Sequence, residues 1–145
     1  MADVDVPELI TTVGNVVLVR WRIITVEGVQ RATGAAKAAA AKAGEPVIYI
    51  AMVGNGVSTP DEAARQALVD GIQPTLKVCS SMNLVLDGSG MKFVTLRSAA
   101  ATMFLLKGDR RMKMYNSLHE TLQERAPAKL EILLTHARVE GLIAA

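Results

Sequence analysis

An uninterrupted apolar run, Pro46-Val-Ile-Tyr-Ile-Ala-Met-Val53, constrains this chain more than any other feature. It has no polar alternation, which is how a strand covered on both faces reads. A glycine-bearing segment follows, Gly54-Asn-Gly-Val-Ser-Thr-Pro-Asp-Glu62, and runs into a strong helix start. Strand, loop and helix in that order are half of a βαβ unit. Such units build a mostly parallel sheet with helices packed over it.

The flanking segments fit that frame. Glu8 to Val13 and Val16 to Trp21 are β-prone runs around Gly14-Asn15, which predicts a hairpin whose leading glycine suits a type II′ turn. Thr25 is placed to cap a helix from Val26 to about Ala43, closed by Gly44 and Pro46. Its alanine-rich tail gives high helix propensity with little bulk, so it packs closely. After the central strand, Thr59-Pro-Asp-Glu62 has the spacing of a capping box with Thr59 as the cap. Pro74 is expected to kink or end that helix near Gln73, with Thr75 to Cys79 either a second short helix or a kinked continuation. Met82 to Asp87 reads as a strand, and Gly88-Ser-Gly90 turns the chain into a helix from Met91 to Lys107, with Phe93, Leu96, Ala100, Met103 and Phe104 inward. A brief strand, Met112 to Tyr115, follows. A second capping box, Ser117-Leu-His-Glu120, starts a helix that Pro127 interrupts. A last helix runs from Ala128 to Leu142, with Leu130, Leu133, Leu134, Ala137 and Gly141 on one face. The predicted order is ββαβαβαβαα, an α/β sandwich in one domain over residues 1–145.

Composition narrows the function classes. Half of the 145 residues are apolar, enough for a substantial core, and the net charge of +2 gives no field directed at nucleic acid. Aromatic residues are scarce, so no stacking platform for single strands is expected. The single cysteine, Cys79, excludes an intramolecular disulfide and reads as a small buried hydrophobe. No apolar stretch is long enough to span a bilayer, and Met1 to Pro7 has neither a basic region nor an apolar core, so no signal peptide is expected. A cytoplasmic location is the resulting expectation.

Ligands of open α/β sheets favour the carboxyl ends of the strands, where the loops Gly54 to Thr59 and Asp87 to Gly90 fall. Ser58 and Thr59 stand at a helix start. Either they serve only as caps, or one is a phosphorylation or anion-binding site, since a helix N-terminus tolerates added negative charge. Asp87-Gly-Ser-Gly90 lacks the third glycine of a dinucleotide fingerprint, because Phe93 stands there, and it lacks the lysine of a phosphate-binding loop. It reads as a tight turn with Asp87 as a polar residue at a strand end. His119 and His136 have no partners at metal spacing, so no metal and no cofactor are expected. Lys107, Arg110, Arg111 and Lys113 form a local basic patch suited either to solvent or to an acidic partner or lipid headgroup.

The element order resembles the STAS domain, the fold of sulfate transporters and anti-sigma-factor antagonists, over roughly Glu8 to Ala126. In that family the helix after the central strand opens on an Asp-Ser-Ser-Gly-like motif whose serine is phosphorylated. Val57-Ser58-Thr59-Pro60 occupies the matching place, without the preceding Asp and with proline for glycine. The resemblance implies a non-enzymatic regulatory or scaffold module that binds a protein partner through this helix and its neighbouring loops. Asn55, Asp61, Arg65, Lys107, Arg110 and Arg111 are the candidate contacts. It leaves the helix from Ala128 as an addition, which either folds back over its own sheet or, through its excess apolar surface, meets a second copy in a homodimer. Two other readings stand beside it. One is a small-ligand or lipid-binding domain using the crevice at the strand ends. The other is an enzyme assembled around Asp87, Ser58 or a histidine.

Overall fold

The strands of the computed structural model, which describes residues 6–144 apart from the side chains of Lys92, Leu105 and Lys107, form one mixed sheet. They are β1 (Glu8–Val13), β2 (Val16–Trp21), β3 (Val47–Val53), β4 (Cys79–Leu86) and β5 (Met112–Tyr115), and they lie side by side in sequence order. β1 runs antiparallel to β2 and every other pair is parallel. The hairpin turns on Gly14 at φ 60°, and no described non-glycine residue has a positive φ. Asn15 therefore excludes the I′ turn and leaves the expected II′ geometry.

An unbroken strand order has a consequence for the layers. Parallel crossovers are right-handed, so strands added always on the same side put every crossover helix on the same face. The helices α1 (Val26–Ala43), α2 (Glu62–Leu76) and α3 (Met91–Lys107) are these crossovers. α1 and α3 share a core with Val17, Val19, Tyr49, Ala51 and Val53 of the sheet, and α2 packs against it through Ala67 and Leu68. The other face would be bare. It is covered by the segment after β5, namely α4 (Leu118–Arg125), a 3-10 turn (Pro127–Lys129) and α5 (Leu130–Val139). Val16, Leu18, Ile50, Met52 and Val85 meet Leu118, Leu122, Leu133, Leu134 and Ala137 there. Alternate residues of β3 thus enter different cores, the physical reason for its unbroken apolar run.

The helix after Ala128 is therefore the second layer of its own domain, and its Leu133 to Ala137 stripe is spent on the sheet. It ends earlier than expected. Gly141, at φ 80°, is not on the helix face but closes a Schellman cap, with Gly141 N–H donating to Arg138 O (3.2 Å) and Leu142 N–H to Ala137 O (2.8 Å). Leu142 is folded back into the core at 2 % exposure.

Three further expectations need correction. The cap of α2 is Asp61, whose carboxylate accepts from Ala64 N–H at 2.8 Å, so Thr59 lies outside the helix. Asp is as good a cap as Thr, and its charge also suits the helix dipole. Pro74 does not end α2 at Gln73; the helix runs on to Leu76. The proline leaves Asp70 O without its i→i−4 donor, a cost the helix bears inside its last turn. Finally, Cys79 is no part of a helix but the first residue of β4, which starts three residues before Met82. Asp61→Ala should cost about 1 kcal/mol while Thr59→Ala costs almost nothing. Matched denaturant titrations check this, and equal losses would return the cap to Thr59.

Candidate functional site

Two loops meet at the carboxyl end of the sheet. Asn55 Oδ1 accepts from Ser89 N–H at 3.0 Å and so ties the β3–α2 loop to the β4–α3 loop. Beneath them lies an ion pair that sequence reading missed. Arg20 holds Asp87 in a fork, Nη2 to Oδ2 at 2.6 Å and Nη1 to Oδ1 at 3.0 Å. Its Nε donates to Leu142 O at 2.7 Å. Bidentate pairs of this kind fix geometry as well as adding energy. Gly54 is required by it, because a Cβ there would meet Asp87 Oδ1 at 2.8 Å and Arg20 Nη1 at 3.0 Å. One arginine thereby joins the ends of β2 and β4 to the strap after α5. The signal in the sequence was Arg20 itself, the one charged residue in the apolar run Val16-Val-Leu-Val-Arg-Trp21. A charge inside a strand covered on both faces demands a partner.

Beside this pair is an open groove of about 390 Å³ between the end of β2, the β3–α2 loop and the strap, lined in part by Arg20, Arg22, Asn55, Val57 and Ile143. Ser58 and Thr59 are exposed in the same loop. Since Asp61 supplies the cap, their hydroxyls are not spent on the helix, and among the described residues neither has a hydrogen-bond partner. Asp61 and Arg65 are exposed on the first turns of α2.

The basic candidates lie elsewhere. Arg110 and Arg111 precede β5 and so sit at the amino end of the sheet, roughly 20 Å from the Ser58 loop by strand length. The structure does not bring them together with Asn55, Ser58, Thr59, Asp61 and Arg65. Arg111 is a staple, forking onto Asp109 (Nη2 to Oδ2 2.7 Å, Nε to Oδ1 3.0 Å) and donating to Leu76 O at 2.9 Å. The guanidinium holds the Asp109 carboxyl down to about 2. Lys113 is paired with Glu124 at 2.7 Å. The basic patch is thus partly neutralised from within. Arg110 is exposed, and the side chain of Lys107 lies outside the described residues.

The remaining polar and thiol groups serve the packing. Asn83, 1 % exposed, donates from Nδ2 to Tyr49 O (3.0 Å) and to Ser81 Oγ (3.0 Å), and its Oδ1 accepts from Arg125 Nε at 2.9 Å. This network seats α4 on the sheet. Burial pushes the Cys79 thiol up to about 11, so it stays protonated at neutral pH and is a poor nucleophile. Burial and the hydrogen bond to Glu124 raise Tyr115 to about 12. His119 is exposed, His136 is half-buried, and no three His, Cys, Asp or Glu among the described residues gather at metal-binding distance. Among the described residues no helix is long and apolar enough to cross a membrane.

No family model, no curated protein and no solved structure matches this chain. What it does has to be argued from its own surface.

Proposed function

We propose that this chain is a non-enzymatic regulatory or scaffold module of the STAS-like kind, which binds a protein partner through the loops at the carboxyl end of its sheet. One observation carries the reading. Ser58 and Thr59 are exposed hydroxyls released from capping by Asp61, in a loop that Asn55 locks to its neighbour. A phosphate added there would place about two negative charges within reach of the α2 N-terminus and Arg65, changing the surface without disturbing the core.

Ser58→Asp and Thr59→Asp should leave stability within about 0.5 kcal/mol, as exposed loop substitutions do. They should also change the set of proteins captured from the source cell relative to Ser58→Ala and Thr59→Ala. Intact-mass analysis of the native protein should show a phosphate on this loop. Identical capture by all four variants, with no phosphate, would remove the reading.

The groove beside Arg20 supports the alternative of a small-ligand or lipid-binding domain. Against it, Arg20 already spends its fork on Asp87 and its Nε on Leu142 O. A ligand retained through purification and seen by native mass spectrometry would favour this second reading.

A further inference from the structure

We infer that Asn55-Gly56 is a site of self-modification, at which the chain closes a cyclic imide and reopens it as aspartate or isoaspartate. The inference does not rest on the partner reading of the same loops.

The chemistry is intramolecular and needs only water. The Gly56 backbone nitrogen attacks Asn55 Cγ, and the new N–Cγ bond closes a five-membered ring. The Cγ–Nδ2 bond breaks, and Nδ2 leaves as ammonia with the proton that the Gly56 nitrogen gives up. Water then opens the ring. Cleavage at Cγ leaves aspartate on the original backbone. Cleavage at the main-chain carbonyl leaves isoaspartate, with the chain running through Cγ and the free carboxylate on Cα. In sum an amide and water give a carboxylate and ammonium, with no change of oxidation state.

The geometry of the loop favours each part of this step. Asn55 and Gly56 are both exposed, and a Cβ added at Gly56 would meet open space, so the approach to its nitrogen is clear. Among the described residues neither Gly56 N–H nor Asn55 Nδ2 has a hydrogen-bond partner. The attacking and leaving nitrogens are therefore not held. Asn55 Oδ1, by contrast, accepts from Ser89 N–H at 3.0 Å. That oxygen takes the negative charge when Cγ is attacked, and a fixed donor on it lowers the barrier as an oxyanion hole does.

The other asparagines are restrained. Asn15 donates to Pro46 O at 3.1 Å, accepts from Lys129 at 3.2 Å, and precedes Val16 in the β1–β2 ladder. Asn83 is buried with both ends of its amide bonded, inside β4. Asn116 accepts from Arg97, and the capping box of α4 holds it and Ser117 through Glu120. Asp87-Gly88 has the spacing for the same ring, but Arg20 grips both oxygens of its carboxylate, and Asn55 and Phe93 crowd Gly88.

Either product puts a carboxylate into the groove lined in part by Arg20 and Arg22. Aspartate keeps an oxygen for Ser89 N–H. Isoaspartate adds one methylene to the main chain and displaces the acceptor, which unties the two loops. Loss of ammonia makes the change one-way.

The test is to incubate the whole chain from mildly acidic to mildly alkaline pH, digest it with trypsin, and map the peptides by mass spectrometry with electron-transfer fragmentation. The peptide from Ala43 to Arg65 contains Asn55 as its one asparagine, and that from Met114 to Arg125 contains Asn116 as an internal control. Each rate is divided by that of the same residue in the urea-unfolded chain. The ratio should stay near one at Asn55 and fall at least about tenfold at Asn116, whose cap must first open. Conversion of Asn55 should quicken as pH rises, because ring closure removes the N–H proton, and both aspartate and isoaspartate should appear. Gly56→Ala should slow it at least about tenfold by crowding the attacking nitrogen. Asn55→Gln, which must close a larger ring, should stay unconverted. Unchanged circular dichroism would show that both variants fold. Amide exchange at Ser89 should quicken in the isoaspartate form and not in Asn55→Asp. Asn55 intact in the folded chain but converted in the unfolded one would overturn the proposal, since the loop would then be protecting it. So would aspartate without isoaspartate, or a rate indifferent to Gly56→Ala. Exchange at Ser89 unchanged by isoaspartate would overturn the untying of the loops.

Discussion

Leu133→Ala should destabilise the domain by about 2–5 kcal/mol, read as a shift in the denaturant midpoint at constant slope. Leu133 is fully buried between α5 and the sheet, in the core formed with Val16, Leu18, Ile50 and Met52. The side chain lost leaves a cavity bounded by strands held in their own ladders, so the site cannot collapse to fill it. Ile132→Ala, one position away on the same helix but 64 % exposed, should cost no more than about 0.5 kcal/mol. The contrast tests whether α5 is a layer of its own domain. Equal, small effects at both positions would mean that the second face of the sheet is covered by something else.

Phe93→Ala should cost about 3–5 kcal/mol, and Phe104→Ala less, about 1–2 kcal/mol. Phe93 is 6 % exposed, sits in the core shared with α1, and carries the Arg97 guanidinium 5.6 Å from its ring centroid. Phe104 is only partly buried, packed with Ile72, Leu76 and Met112. Both aromatics were placed on the inner face by helical spacing, but spacing cannot say how completely a face is covered. Matched unfolding curves decide the order. A larger loss at Phe104 would mean that α3 is rotated on the sheet.

The α/β class, the opening hairpin and the element order were legible in the sequence because each rests on local chemistry. β3 has no polar alternation. Gly14-Asn15 fits the II′ turn, Thr25 and Ser117 fit N-caps, and Gly44 fits an αL helix end at φ 69°. The local errors have local reasons as well. Thr59 and Asp61 are both good caps two residues apart, and only the backbone path chooses between them. β4 starts earlier than expected because Ser80 and Ser81 look unlike a strand interior; Ser81 is buried there with its hydroxyl accepting from Asn83 Nδ2.

Other properties belonged to the tertiary structure alone. That α4 and α5 form the second layer follows from the strand order, which leaves one face without crossover helices; an amphipathic stripe in the sequence does not say what covers it. The pairing of Arg20 with Asp87, 67 positions apart, follows from β2 and β4 both ending beside β3. The separation of Arg110 and Arg111 from the Ser58 loop follows from parallel strands, which send the loops before and after a strand to opposite ends of the sheet. Periodicity and capping are set within a few residues and are written in the chain. Which faces, charges and loops meet is set by the sheet that brings distant residues together.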